Sequence, residues 1–208
     1  KLADKWIISR LNDTIKDVNY FFDKFEFGET DRALYNFIWN DFCDWYIEMT
    51  KEKLNNGTAE EQANTKNILG YVLDQILKLM HPIMPFVTEK LWQSMPHDGK
   101  SIMVAKYPVA HDEFDDDAAT EQMSHLIELI TAVRNIRNQA NAPMSKPVDL
   151  IIKVENDHLA ETFKANKDYI DRFCHPEKLI IGTDVETPKL ALSGILTGAE
   201  VDIPMAEL

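Results

Sequence analysis

The chain has 208 residues, 45% hydrophobic and 27% charged, which suffices for one large domain or two small ones around a sizeable core. Its net charge is −13 and both sides of Ser145 are acidic, which excludes broad nonspecific affinity for nucleic acid built on many phosphate contacts. No apolar run nears the roughly 20 residues of a membrane span, no signal peptide opens at Lys1, and the distant cysteines Cys43 and Cys174 fit reduced thiols in a cytoplasmic protein.

A first helix is predicted from about Leu2 to Lys24, with Ile8, Leu11, Ile15, Val18 and Phe22 as its apolar stripe. Gly28 punctuates, and Thr30 is the expected N-cap of a second helix that ends near Asn55-Asn56-Gly57. Residues 33–49 of that helix are apolar on almost every side, so the segment is read as the hub of a helical bundle. Trp39, Phe42 and Tyr46 share a stripe with Tyr35 and Met49 and are expected in the core. Asn36, Asn40, Asp44 and Glu48 form its one polar line.

Thr58 with Glu60 and Glu61 opens a third helix, and Pro82 breaks it after His81. Pro85 starts a fourth, with Phe86, Val87, Leu91 and Trp92 expected to face inward. Pro96 to Pro108 is loop, with Ile102 to Ala105 a candidate extended piece. Asp115, Asp116 and Asp117 open a fifth helix that Arg134 and Arg137 close, both with the sign the helix dipole favours.

Beyond Pro147 the period changes from 3.6 to 2, which predicts a strand over Val148 to Val154. Leu159, Phe163, Ile170 and Phe173 mark an amphipathic helix, Leu179 to Ile181 a short strand, and Ile195 to Ile203 a hairpin turning at Thr197-Gly198. The expected fold is therefore mainly α. A five-helix bundle spans residues 1–145 and a small α+β subdomain spans 146–208.

Motifs for catalysis are missing. The six histidines have no Cys or His partner at metal-ligand spacing, and neither G-x-G-x-x-G nor a phosphate-loop lysine motif occurs. No catalytic residue, metal ligand or cofactor site is assigned to the chain.

Four stretches carry a family resemblance: LADKWIISRLN (Leu2 to Asn12), WNDFCDWYIE (Trp39 to Glu48), LMHPIMPFVTEKLWQ (Leu79 to Gln93) and VRNIRNQANAPMSKP (Val133 to Pro147). In that order and spacing they resemble the C-terminal part of the valyl-tRNA synthetases, class I aminoacyl-tRNA synthetases. The HPIMPFVTEKLW pattern is shared with the isoleucyl and leucyl enzymes, whereas DFCDWYIE is most like the valyl member. The resemblance implies a class I synthetase anticodon-binding bundle, then an α+β piece that precedes a coiled-coil arm missing here. It implies recognition of the anticodon stem and loop of the tRNA for valine. The ATP-dependent attachment of valine, and its editing, would belong to catalytic and editing domains outside this chain. The fragment alone should then be an inactive monomer. Met144-Ser145-Lys146 resembles the nucleotide-binding lysine loop of the class, but Pro143 and Pro147 flank it and it reads as a linker. The alternatives are the same module of an isoleucyl or leucyl enzyme, or a helical protein-interaction scaffold.

For RNA contact, side chains off the core stripes are the candidates, because single-stranded loops are read by stacking and by hydrogen bonds to base edges. Trp6 and Arg10 project away from the Ile15–Phe22 stripe at about 100° per residue. Trp6 could instead pack on a missing domain or a loop. Asn36 and Asn40 on the hub's polar line are further candidates, with capping or plain solvation as the alternative. Arg134 and Arg137 share a helical face beside Asn135, Asn138 and Asn141, with Lys146 just beyond. They are candidates for phosphate contact unless they serve only the helix dipole.

Overall fold

The computed structural model describes residues 1–208, which divide into two compact units, Lys1–Thr120 and Glu121–Leu208. The first is a helical bundle. The second combines most of one long helix with a small mixed sheet.

In the first unit, α1 (Leu2–Asp23) packs on the segment that follows it and on α4. That segment is one continuous helix of three parts: α2 (Phe27–Tyr35), a π-helical stretch (Asn36–Ile47) and α3 (Glu48–Asn56). The break before α2 falls at Phe25, whose φ of 58° takes the chain out of α1. Gly28 and Thr30 lie inside the first turns of α2. Thr30 is buried and its hydroxyl donates to the Glu26 carbonyl at 3.3 Å, so it is not a cap. α4 (Ala59–Met80) opens with a reciprocal cap, in which the Glu61 amide donates to the Thr58 hydroxyl and the Thr58 amide to the Glu61 carboxylate. It ends before Pro82, and α5 (Pro85–Gln93) starts on Pro85 as expected.

Two expectations for this region fail. Ile102–Val104 is a 3-10 turn rather than an extended piece. On α5 only Trp92, with Thr88, is buried. Phe86 is 90% exposed, and Val87 and Leu91 also face solvent together with Ile83 and Met84. Trp92 packs with Leu77 and Ile102 and donates its indole N–H to Asp74 at 2.7 Å. A helix of nine residues, about two and a half turns, has room for one large inward anchor, and the apolar side chains left over stay outside.

The next long helix, α6 (Asp117–Gln139), starts at the acidic run, where Asp116 accepts from the Ala119 amide at 2.9 Å. Its buried stripe is Met123, Leu126, Leu129, Ile130, Val133 and Ile136. The expected strand is β1 (Val148–Val154), the central strand with β4 of a sheet ordered β2-β1-β4-β3. β1 and β2 (Pro176–Gly182) are parallel, and their crossover carries α7 (Asp157–Ala165) and α8 (Lys167–Cys174). The single amphipathic helix expected there is two, parted at the buried Asn166, whose side chain donates to the Thr162 carbonyl. β3 (Ala191–Leu196) and β4 (Ala199–Pro204) form the expected hairpin, and Gly198 supplies its φ of 74° at the turn. Gly194 lets the hairpin approach α6, since a Cβ there would lie 3.1 Å from the Ala132 methyl.

The change of period near Ser145 and the packing boundary at Thr120 are therefore different places. Most of α6 belongs to the sheet-bearing unit.

Candidate nucleic-acid interface

The π-helical stretch sets the first candidate surface. Bonding from i to i+5 widens the turn, so the face of each residue departs from an α-helical projection. The buried positions are Leu34, Phe37, Phe42, Tyr46 and Met49, with a step of five from Phe37 to Phe42. Trp39 and Tyr35, expected in the core, are instead 54% and 61% exposed. Their rings lie 6.3 Å apart at an interplanar angle of 48°. Asn36 and Asn40 are exposed beside them, as the polar line predicted. The hub is thus not surrounded. It presents one face of two aromatic rings and two amides.

The core side of the same stretch is tied to α1. Tyr46 is fully buried, and its hydroxyl donates to the Asp4 carboxylate at 2.9 Å. Phe42 lies parallel to Tyr46 at 6.2 Å. These contacts hold the outer face in place from behind.

Trp6 does not project outward. It is 3% exposed, because the N-terminal half of α1 is buried on nearly every side: Ala3, Asp4, Ile7, Ser9 and Leu11 are buried with it. Trp6 does lie away from the Ile15 face, but α1 is covered on more than one face. Arg10 is half-buried. Its Nε donates to Asp41 at 3.0 Å and its Nη1 to Asp13 at 3.1 Å, so two carboxylates already answer its charge. Burial pushes the Asp41 carboxyl above its ordinary range, and Arg10 pulls against that shift.

In the second unit Arg137 has no exposed surface. Its guanidinium donates to the carbonyls of Pro143 at 2.8 Å, Lys146 at 2.6 Å and Cys174 at 2.6 Å. It therefore pins the turn after α6 to the end of α8, and neither a phosphate nor the solvent-side helix dipole is its partner. Burial lowers its pKa, yet a guanidinium stays charged at neutral pH. Arg134 is half-buried with its guanidinium 5.9 Å from the Phe173 ring centroid, and Lys146 is exposed. Asn141 adopts φ 54° just past α6, so it closes the helix end rather than offering only an amide donor.

Seven residues were expected at an RNA surface. The structure brings Asn36 and Asn40 together, leaves Arg134 and Lys146 accessible in part or in full, holds Arg10 between carboxylates, and buries Trp6 and Arg137. Tyr35 and Trp39, expected in the core, are the exposed aromatic residues next to the two amides. The signal that could have found them is the spacing of the polar line itself: Asn36 and Asn40 each follow an aromatic residue directly, and a widened turn keeps both neighbours on one side.

Residues 4–152 match the family described as the anticodon-binding domain of tRNA ligases. The chain belongs to this family. Over its whole length it is 65% identical to a valine–tRNA ligase of Lactiplantibacillus plantarum, 57% to one of Latilactobacillus sakei subsp. sakei and 54% to one of Enterococcus faecalis. It covers 23%, 24% and 24% of those proteins, so this anticodon-binding chain spans about a quarter of the length of the relatives it matches. No helix in it is long and apolar enough to cross a membrane.

Proposed function

We propose that the chain recognises the anticodon stem and loop of the tRNA for valine, as one part of a cytoplasmic, monomeric valine–tRNA ligase. The observation that carries this reading is the 65% identity over the full chain to a valine–tRNA ligase, together with the family match over residues 4–152. Identity at that level to valine–tRNA ligases favours valine over the isoleucyl and leucyl alternatives. A scaffold role has no comparable support.

In this reading residues 1–145 are the anticodon-binding part and 146–208 a small α+β subdomain that follows it. That boundary lies close to the end of the matched segment, although packing groups α6 with the sheet. The chain supplies no cofactor site. ATP, valine and the acceptor end of the tRNA are handled by catalytic and editing domains elsewhere in the ligase. RNA contact comes from the outer face of the π-helical stretch, from Arg134 and Lys146, and from Arg10 only where a phosphate displaces Asp13 or Asp41.

With a net charge of −13, attraction at long range is absent and contacts are few and short. Losing the second attachment point costs about 10²–10⁴-fold in effective affinity. Titrating the tRNA for valine into the chain at physiological salt should give micromolar or weaker binding, above that for a tRNA with an unrelated anticodon. Pyrophosphate exchange with valine and ATP should be absent. Equal binding of both tRNAs, or exchange activity, would contradict the proposal.

A further inference from the structure

Resting on the anticodon-binding reading, we propose that Tyr35, Asn36, Trp39 and Asn40 form a site for one unpaired RNA base, which stacks on Trp39 and is read at its edge by an amide.

Three observations converge on these four residues. Two large aromatic rings, Tyr35 and Trp39, stand more than half exposed within one turn of each other, on a helix that buries Phe37, Phe42 and Tyr46 and half-buries Trp45. The rings are tilted at 48° rather than stacked in parallel, so they do not cover each other's faces. The same turns are π-helical over Asn36–Ile47, a geometry that is rare in ordinary helices and recurs at functional sites.

The chemistry fits a base better than a phosphate. From Ala33 to Asn40 there is no charged residue, so the four residues carry none of the positive charge a phosphate needs, and the nearest exposed charge along the polar line is the carboxylate of Asp44. A side-chain amide offers two donors and an acceptor, which matches the mixed edge of a nucleobase. On an acidic molecule, stacking is also the attraction that net charge leaves unimpaired.

The other exposed aromatic residues lack this combination. Phe86 stands among the aliphatic Ile83, Met84 and Leu91. Phe25 meets Phe27 edge to face, Lys24 lies over the Tyr20 ring, and Asn19 spends its amide on the Pro108 carbonyl at 3.1 Å.

Tryptophan emission tests the site. Of the four tryptophans, Trp6 and Trp92 are buried and Trp39 is the most exposed. A short RNA hairpin carrying a valine anticodon loop should quench the emission of the 208-residue chain on binding. Trp39→Phe should remove most of that quenching while leaving affinity within a few-fold. Trp39→Ala should weaken binding about 5- to 150-fold, the range for one stacked base, with little change in melting temperature. Tyr35→Ala should weaken it less, and Asn40→Ala should reduce discrimination between loop sequences. Wild-type binding with quenching intact in Trp39→Phe, and with unchanged affinity in Trp39→Ala and Tyr35→Ala, would overturn the base site but leave the anticodon-binding reading standing. Failure of the wild-type chain to bind the hairpin would overturn both. Unchanged hairpin affinity in Trp39→Ala with altered self-association would assign the face to protein contact instead.

Discussion

The phenol of Tyr46 and the carboxylate of Asp4 meet at 2.9 Å inside the helical bundle, joining α1 to the core side of the π-helical stretch. Both residues are buried, so the bond fixes the rotation of the stretch about its axis and with it the outward direction of Trp39. Tyr46→Phe leaves the carboxylate without this donor. The expected cost is about 1.5–3 kcal/mol, the range for a hydrogen bond to a charged group, read from denaturant unfolding. No loss of stability would mean that solvent replaces the phenol and that the bond does not orient the helix.

Trp6 and Trp39 should behave oppositely when truncated. Trp6→Ala removes a buried indole and should cost about 3–5 kcal/mol. Trp39→Ala and Phe86→Ala remove exposed rings and should stay within about 1 kcal/mol of wild type. Thermal melts of the three variants compare them directly. A large loss in Trp39→Ala would restore the core placement that an α-helical projection predicts.

Arg137 should be structural. Arg137→Ala strips the donor from three carbonyls and should destabilise the sheet-bearing unit by about 3 kcal/mol or more. Arg137→Lys should recover little, since an ammonium cannot reproduce the planar fork. Hydrogen exchange should show the loss in β1, α8 and the turn between α6 and β1. A folded Arg137→Ala whose only defect is a smaller salt dependence of tRNA binding would return this arginine to the RNA surface.

The two thiols should separate cleanly. Burial pushes Cys174 up to about 12, with Arg137 and Arg134 opposing the shift, whereas Cys43 is raised by burial and by Asp44 but stays partly accessible. A raised thiol remains protonated until pH climbs through its folded value, so at pH 8 Cys174 is neutral and shielded. Thiol-specific labelling of the native chain should modify Cys43 slowly and Cys174 only after unfolding. Equal labelling rates would show that the α8 end opens readily.

Much of the fold is legible from residues alone. Pro82 and Pro85 punctuate α4 and α5, Thr58 and Glu61 cap α4, and the switch to alternation after Pro147 announces β1. These signals are local, and local chemistry decides them. The misses are those that local pattern cannot decide. Phe86 reads as core because its neighbours are apolar, yet only the packing of α5 tells which apolar side chain is taken inward. Trp6 depends on how many helices surround α1.

The candidate site was half visible for a different reason. Asn36 and Asn40 stood out as the polar line of an apolar helix, whereas Trp39 was assigned by a 3.6-residue period that the π-helical stretch does not obey, and Tyr35 at the end of α2 was assigned with it. Arginines were misjudged where partners distant in sequence claim them: Asp41 for Arg10, and the Cys174 carbonyl for Arg137.

In the proposed function this acidic, mainly helical chain reads an anticodon loop. The most direct measurement of that function is a competition titration at physiological salt between two RNA hairpins with the same stem, one with the valine anticodon loop and one with its anticodon bases changed. Weak binding with a clear preference for the valine loop is expected, with both affinities lowered in Trp39→Ala and the preference reduced in Asn40→Ala. Equal affinity for both hairpins, or none for either, would contradict the proposed function.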